Sequence, residues 1–208
     1  QTHPRQIVLE APKLDKISER AMGHWEQKRT TMRNYDLTAH LYDMRYAEEQ
    51  AAKIMAALEK VELGGQSYVL DFGCGTGLVF EYIAEKAWMV IGLDFSRKAL
   101  SEAKKRSKKF GNVHLVLADA DYAPFRSGVF THVFAITLLQ NMPNPWKTLN
   151  EAKRVAIKNA TLVVTGLKKK FSLEEFKGIL CENGLSIADI RDFDNLKCYV
   201  AICFNQHS

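Results

Sequence analysis

One short stretch most constrains how this chain can fold: an apolar run that ends in a carboxylate and leads into a loop with glycine at every second position. The carboxylate is Asp71, and the glycines are Gly73, Gly75 and Gly77. Glycine has no Cβ and tolerates positive φ, so backbone N–H groups of such a loop can approach a ligand closely. Residues 78–86 have helical spacing, so we expect the loop to open a helix N-terminus. A strand, a glycine loop and a helix in this order suit a nucleotide-like ligand.

The loop departs from the dinucleotide fingerprint G-x-G-x-x-G. Gly77 comes one residue early, and Leu78 holds the last position of the fingerprint. Asp71 would repel a pyrophosphate at the strand tip, whereas it would attract a ligand that bears an ammonium group. The pattern D-x-G-x-G-x-G resembles motif I of the class I S-adenosylmethionine (AdoMet) methyltransferases, whose cofactor has a cationic methionine end and no phosphate. A glycine turn without a ligand is the alternative that the motif alone leaves open.

Composition limits the class of protein. The chain has 208 residues and 47% hydrophobic residues, which suits one globular domain with a sizeable core. We expect a cytoplasmic monomer without a membrane span or signal peptide, because no apolar run is long enough and the N-terminus is polar. We also expect no metal, since the four cysteines form no C-x-x-C pair and accompany no histidine cluster. The net charge of +5 only weakly favours a polyanionic partner.

Beyond the glycine loop, apolar strand-like runs alternate with helical segments, which is typical of a parallel sheet covered on both faces. Further strands are predicted at residues 88–93, 113–117, 130–136, 161–165, 185–192 and 197–204. Helices are predicted at residues 96–110, 145–155 and 172–183. An antiparallel C-terminal hairpin is the ending that the family resemblance implies. The predicted fold is therefore the class I methyltransferase three-layer α/β sandwich, with a seven-stranded, mostly parallel sheet and an N-terminal helical extension.

The N-terminal part is predicted to be separate from the core, with residues 1–62 as arm and helices and residues 63–208 as the methyltransferase core. A basic helix is expected from Asp15 to Thr31. The segment at residues 35–43 resembles the Y-D-x-x-A-x-x-Y-D segment that folds over the cofactor in many class I methyltransferases. That resemblance suggests three tyrosines as a cofactor cover, although the rings could simply pack the helix onto the sheet: Tyr35, Tyr42 and Tyr46.

Two further carboxylates follow the next two strands, and ligands of such sheets bind beyond the carboxyl ends of the strands. Asp94 can accept hydrogen bonds from both ribose hydroxyls, and residues 91–96 resemble motif II of the family. Residues 118–125 resemble the D-A-x-x-L-P-F segment that holds adenine. By that resemblance, Asp119 accepts from the adenine amino group and the Ala120 N–H donates to a ring nitrogen. The predicted residues for AdoMet, and for its product S-adenosylhomocysteine, are Asp71, Gly73, Gly75, Gly77, Asp94, Phe95, Asp119, Ala120 and Leu138.

The segment after the fourth strand should govern the methyl acceptor, because methyl transfer needs donor and acceptor aligned in a dry site. Residues 141–146 contain fragments of the N-P-P-Y motif of base amino methyltransferases, but not the motif itself. The register matches better the L-R-N-V-x-D-P of quinone C-methyltransferases, with Gln140 in place of arginine. A proline-rich helix entry without a chemical role is the remaining alternative. The candidates for positioning the acceptor are Asn141, Pro143, Pro145 and Trp146.

Basic residues near the substrate mouth favour RNA, because they could contact phosphates. The candidates are Lys168, Lys169 and Lys170 after the fifth strand and Lys28, Arg29, Arg33 and Arg45 in the N-terminal part. The whole layout resembles small archaeal class I methyltransferases, some of which methylate cytidine N4 in ribosomal RNA. The predicted reaction is therefore methylation of a base amino group in structured RNA, with ribosomal cytidine N4 favoured and tRNA as another substrate. A quinone or metabolite methyltransferase and a non-catalytic AdoMet-binding RNA module remain open.

Overall fold

A seven-stranded sheet forms the centre of the molecule. The computed structural model describes the backbone of residues 16–206 and the side chains of residues 23–33 and 46–206. The strands are β1 Tyr68–Phe72, β2 Met89–Asp94, β3 Val113–Leu117, β4 Phe130–Ala135, β5 Ala156–Leu167, β6 Leu185–Arg191 and β7 Cys198–Asn205. The helices are α1 Lys16–Leu58, α2 Phe80–Ile83, α3 Arg97–Ser107, α4 Pro145–Val155 and α5 Leu173–Glu182. Short 3₁₀ turns lie at Ala120–Tyr122 and Leu139–Asn141.

The strand order is β3-β2-β1-β4-β5-β7-β6, and the first five strands pair in parallel. β7 is antiparallel to both β5 and β6, which confirms the expected C-terminal hairpin. β1 is an inner strand, and the chain leaves it toward β2 on one side and later reaches β4 on the other. This reversal of strand order creates a crevice at the carboxyl ends of β1 and β4, where ligands of such sheets bind.

Alternate side chains of the central strands pack on opposite faces of the sheet. Leu70 belongs to the core that includes Leu149 of α4 and Phe176 of α5. Val69 belongs to the second core, with Ile54 of α1 and Phe80 of α2. The result is the predicted three-layer sandwich, in which α1 is one of the helices that cover the sheet. Within the described residues, none of the helices combines the length and the apolar composition that a membrane span requires.

Two helical segments differ from the sequence-based expectation. Instead of a helix, a folded-over segment and a second helix, residues 16–58 form the single helix α1. Residues 24–58 contain neither glycine nor proline, so no residue there breaks the helix. The helix after the glycine loop is shorter than predicted, because α2 spans only Phe80–Ile83 and ends in turns that lead directly into β2. The predicted arm at residues 1–14 lies outside the described residues.

Candidate functional site

The glycine loop turns sharply between β1 and α2. Gly73, Gly75 and Gly77 have φ values of +79°, +53° and +78°, a region that disfavours residues with a Cβ. A Cβ at Gly77 would lie 2.4 Å from the buried ring of Phe80, so that position is also too crowded for a side chain. The N–H of Gly73 donates to the carbonyl of Leu93 at 2.8 Å, which fixes the loop against the end of β2. The sequence fingerprint is thus a tight turn that no other residue type would adopt easily.

Asp94 joins this loop to the start of α3. One carboxylate oxygen accepts from the N–H of Gly75 at 2.9 Å, and the other accepts from the N–H of Ser96 at 2.8 Å. Ser96 in turn caps α3 by accepting from the N–H of Ala99, as its position in the sequence predicts. The carboxylate is thereby fixed at the carboxyl end of β2.

Asp71 is the most unusual carboxylate of the site. Its residue is 1% exposed, and its Oδ2 has no hydrogen-bond partner among the described residues. Burial raises the pKa of Asp71 well above its ordinary value, and the negative charge of Asp94 adds to the effect. An unpaired buried carboxylate is costly, so the position is suited to a cation that arrives from outside the chain.

These groups share one cleft at the carboxyl ends of β1, β2 and β4, with about 1000 Å³ of empty space when open solvent is included. Most of the predicted site residues line it: Asp71, Gly73, Gly75, Asp94, Phe95, Asp119, Ala120, Leu138 and Asn141. Residues that the sequence did not single out complete the wall, including Thr31, Gln50, Ile54, Thr137 and Met142. Gly77, Pro143, Pro145, Trp146 and Tyr46 are not among the lining residues. Tyr35 and Tyr42 have side chains outside the described residues.

Lys28 is a cleft residue rather than a surface cation. Although it was expected among the basic residues of the RNA-facing rim, it is only 6% exposed. Its ammonium donates to both oxygens of Asp119 at 2.8 Å and to Oδ2 of Asp121 at 2.6 Å. Charge pairing explains the burial, because a lysine can leave water when carboxylates replace its hydration. A lysine in a basic helix carries no sequence signal for carboxylates that follow about ninety residues later.

Thr137, just beyond β4, is held in an unfavourable conformation. Its φ is +61°, which is rare for a β-branched residue. Its N–H donates to Oγ1 of the buried Thr165 at 2.7 Å, and its carbonyl accepts from Nδ2 of Asn141 at 2.7 Å. Its hydroxyl contacts the amide of Gln50 at 3.1 Å and the ammonium of Lys53 at 3.3 Å. Helix α1 therefore holds the segment that precedes Asn141, which no local pattern in the sequence indicates.

The candidates for positioning the acceptor lie in two different environments. Asn141 faces the cleft, and its amide nitrogen donates a hydrogen bond to the carbonyl of Thr137. Pro145 is at the first turn of α4, where its missing N–H is not needed, and Asn144 caps the helix. Trp146 is 44% exposed and donates from its indole to Glu182 of α5 at 3.2 Å. The indole is therefore anchored on the neighbouring helix rather than in the cleft.

The basic candidates for RNA contact are also divided. Lys168 pairs with Asp192 at 2.7 Å and donates to a nearby carbonyl, and Lys170 donates to the carbonyl of Gln140. Lys169 is exposed, as are Arg29 and Arg33 on α1. The side chain of Arg45 lies outside the described residues. Across the part of the chain that is described, no three His, Cys, Asp or Glu side chains are grouped so that they could hold a metal ion.

Comparison with known proteins gives the family of this fold. Residues 70–164 match the family model described as "Methyltransferase domain", which covers β1 to β5, the glycine loop and all three cleft carboxylates. Just under half of the chain is thus similar to a methyltransferase domain. A SAM-dependent methyltransferase from Aquifex aeolicus has the same fold, with a TM-score of 0.72 at 20% identity over 82% of this chain and 98% of that one. The class I methyltransferase fold predicted from the sequence is confirmed.

Relatives of this chain carry names that specify different methyl acceptors. The chain is 35% identical over 99 residues to the 18S rRNA (guanine-N(7))-methyltransferase bud23 of Schizosaccharomyces pombe, covering 47% of this chain and 36% of that protein. It is 30% identical over 122 residues to the ubiquinone biosynthesis O-methyltransferase of Azoarcus sp., covering 57% of this chain and 52% of that protein. The chain spans about half or less of the length of these relatives.

The domain and its fold imply S-adenosylmethionine as the cofactor, and the cleft fits such a ligand. The buried Oδ2 of Asp71 has no partner among the described residues and could accept from a cationic group, which the methionine end of AdoMet carries. The positive-φ glycine loop keeps side chains away from that end of the cleft. Asp94 and Asp119 place further acceptors along the same wall, where hydroxyl and amino groups of a nucleoside would be donors.

Proposed function

We propose that the protein transfers a methyl group from AdoMet to a nitrogen atom of a base in structured RNA. The observation that carries the donor half of the proposal is Asp71, which lines a cleft beside the glycine loop and whose buried Oδ2 has no partner among the described residues. The observation that bears on the acceptor is the polar, conformationally restrained segment from Thr137 to Asn141 at the same cleft.

Each cleft carboxylate has its own task in cofactor binding. Asp71 binds the ammonium of the methionine end, Asp94 accepts from the ribose hydroxyls, and Asp119 with the N–H of Ala120 recognises adenine. The bound AdoMet supplies an electrophilic methyl group on a sulfonium, so the chain's own work is to bind, to align and to exclude water. Further residues proposed to support the cofactor, as loop, wall or cover, are Gly73, Gly75, Gly77, Phe95, Leu138, Tyr35, Tyr42 and Tyr46. Residues 1–62 are proposed to act as the cover and rim of this site.

Asn141 is the best-placed residue to hold the acceptor. Donation of its amide nitrogen to the carbonyl of Thr137 fixes the side chain in one orientation. An amide oxygen can then accept from the N–H of an amino group, which orients the nitrogen lone pair toward the methyl donor. Pro143 and Pro145 shape the entrance to α4 behind it. Trp146, which is anchored on Glu182, is a weaker candidate than Asn141 for contact with a base.

RNA is the favoured acceptor for two reasons. The bud23 relative is named as an 18S rRNA methyltransferase, and exposed cations lie on α1 and after β5, namely Arg29, Arg33 and Lys169. The sequence resemblance favours cytidine N4, whereas the relative's name concerns guanine N7, so the modified atom is itself an outcome of the experiment. Arg45, Lys168 and Lys170 complete the proposed phosphate-contacting set.

A small-molecule acceptor is the second candidate. It is supported by the ubiquinone biosynthesis relative and by the apolar side chains that line the cleft near Asn141, among them Ile136, Leu138 and Met142. A quinone or metabolite ring could pack on these side chains where the first proposal places a base.

Nucleoside mass spectrometry of RNA from a deletion strain separates these functions. Loss of one methylated nucleoside that returns with the wild-type gene, but not with Asp94→Ala, supports the RNA proposal. Unchanged RNA with an altered quinone or metabolite pool supports the second candidate, and no chemical change points to a non-catalytic binding module. Phosphate contacts predict that RNA affinity falls steeply as salt rises. Affinity that hardly changes with salt would contradict them.

A further inference from the structure

Lys28 lines the cleft beside Asp119, the residue proposed to recognise adenine. The lysine belongs to α1, whereas both carboxylates it binds belong to the segment after β3. Its ammonium has three hydrogens, and the three contacts to Asp119 and Asp121 account for all of them. The residue also lines the cleft beside Asp119, so the pair is part of the site and not a remote surface bridge.

The geometry of the pair creates a conflict with an amino group of a ligand. Both oxygens of Asp119 lie 2.8 Å from the ammonium, so Lys28 sits in front of the carboxylate and between its oxygens. A ligand amino group that donates to the same carboxylate must share it with a charged donor or displace that donor. Charged donors form the stronger hydrogen bonds, so displacement has a real cost.

Asp121 makes displacement feasible without expelling the lysine from the cleft. This carboxylate is 6% exposed and is held by the hydroxyl of Thr148, which donates to Oδ1 at 2.6 Å. Its Oδ2 remains as a partner for Lys28 when Asp119 is taken by a ligand. The ammonium can thus contact both carboxylates when the cleft holds no ligand, and Asp121 alone when a ligand takes Asp119.

We propose that Lys28 is a specificity-determining residue of the cofactor site, which competes with the adenine amino group for Asp119. The inference rests on the proposed role of Asp119 in adenine binding. A purine that carries a carbonyl in place of the amino group would not compete with the ammonium and would instead accept a hydrogen bond from it. Lys28 therefore lowers the affinity for adenine ligands and raises the relative affinity for hypoxanthine ligands, and it couples α1 to the occupancy of the cleft.

The test measures binding of S-adenosylhomocysteine and of S-inosylhomocysteine, its deaminated analogue, by calorimetry on the full chain. Lys28→Met should bind S-adenosylhomocysteine about tenfold more tightly, because the fraction of protein with an available Asp119 rises. The same variant should bind S-inosylhomocysteine no more tightly than the wild type does. Asp121→Asn alters no residue that lines the cleft but removes the charged partner left to Lys28 when Asp119 is taken, so it should weaken the binding of S-adenosylhomocysteine. Lys104→Met, at an exposed position of α3, is the matched control and should change neither affinity.

Four outcomes would overturn the proposal, and they are distinguishable. Weaker or unchanged S-adenosylhomocysteine binding in Lys28→Met would show that the lysine supports adenine or is irrelevant to it. Equal tightening for both ligands would show a general opening of the cleft rather than competition at the amino group. If Lys28→Met does not fold, Asp121→Asn decides, and unchanged or tighter binding of S-adenosylhomocysteine in that variant refutes the competition. Failure of every chain, including the wild type, to bind either ligand would instead refute the proposed cofactor function and this inference with it.

Discussion

Asp71→Asn should raise the free energy of unfolding of the protein and lower its affinity for the cofactor. The side chain is buried, its Oδ2 has no partner among the described residues, and Asp94 adds a second negative charge nearby. The isosteric amide removes the charge but keeps the shape of the side chain. The same change removes the group proposed to bind the ligand's ammonium, so stability and affinity should move in opposite directions.

The expected magnitudes follow from the burial of one unpaired group. The amide is still a buried polar group, so the substitution removes only the extra cost of a buried charge, and the free energy of unfolding should rise by about 1–3 kcal/mol. For a chain of this length the melting temperature should rise by roughly 2–10 °C. A hydrogen bond to a charged group contributes about 1.5–3 kcal/mol, so affinity for S-adenosylhomocysteine should fall by roughly 10- to 150-fold.

The pH dependence has a definite sign. Burial raises the pKa of Asp71 in the folded protein above its ordinary value near 3.8, so the folded state holds this proton more tightly than the unfolded state does. Stability contributed by the protonated group is therefore complete below pH 3.8 and is lost as the pH rises through the folded-state pKa. The advantage of Asp71→Asn should accordingly be absent in acid and grow with pH across that window.

Urea unfolding across pH, together with calorimetric titration at neutral pH, measures both effects. 5′-Methylthioadenosine is the matched ligand control, because it keeps the adenosine and lacks the ammonium, and its affinity should not change. A variant that is destabilised at neutral pH would refute the reasoning about the unpaired carboxylate. Equal losses for both ligands would refute the assignment of Asp71 to the methionine end.

Three further predictions concern stability and can be checked by urea unfolding. Gly77→Ala should lower the free energy of unfolding by about 3 kcal/mol, because left-handed backbone strain adds to the clash with Phe80. Gly75→Ala should lower it by only about 1 kcal/mol, because no atom of the described residues lies within 4 Å of the added Cβ. Thr137→Ala should cost about 2 kcal/mol through its lost hydrogen bonds to α1, and Thr137→Gly should recover about 1 kcal/mol of this, since glycine accepts the φ of +61°. Burial lowers the pKa of His132 below its ordinary 6.5, so the stability contributed by the neutral imidazole is present above pH 6.5 and is lost in acid. His132→Gln should therefore lose less stability than the wild type as the pH falls below 6.5. The first expectation is contradicted if the two alanine variants of the loop cost the same stability, and the second if Thr137→Gly is no more stable than Thr137→Ala. The third is contradicted if His132→Gln does not change the loss of stability in acid.

The sequence was sufficient for the parts of the site that follow from strand order. Asp71, Asp94 and Asp119 lie at or just beyond the carboxyl ends of three consecutive strands, and parallel strands bring these ends to one edge of the sheet. The cleft therefore contains all three. The confirmed C-terminal hairpin was equally readable, since its two apolar runs are separated by a short polar turn.

The features of the site that could not be predicted from the sequence depend on contacts between distant segments. Lys28 reads as one of several basic residues on a helix, and only the fold shows that it is buried against Asp119. Thr137 carries no motif, and its strained backbone depends on partners from α1 and β5. Trp146 was chosen for its place in a motif fragment, yet the turn of α4 directs its indole to Glu182. Periodicity and spacing report on local structure and do not report which helix face meets which loop.

The three cleft carboxylates have different hydrogen-bond partners, and this difference indicates the order of chemical groups along the ligand. Asp94 is held by two backbone N–H groups, Asp119 is paired with an ammonium of the chain itself, and Asp71 has an oxygen with no partner in the described structure. A ligand must therefore bring a cation to one end of the cleft and only neutral donors to the other two positions. A cationic amino acid joined to a nucleoside meets this requirement in the right sequence, whereas a dinucleotide, with negative charge at its centre, does not. Since a ligand that completes Asp71 binds only the folded state, it should raise the free energy of unfolding by RT ln(1 + [L]/Kd), where [L] is the free ligand concentration.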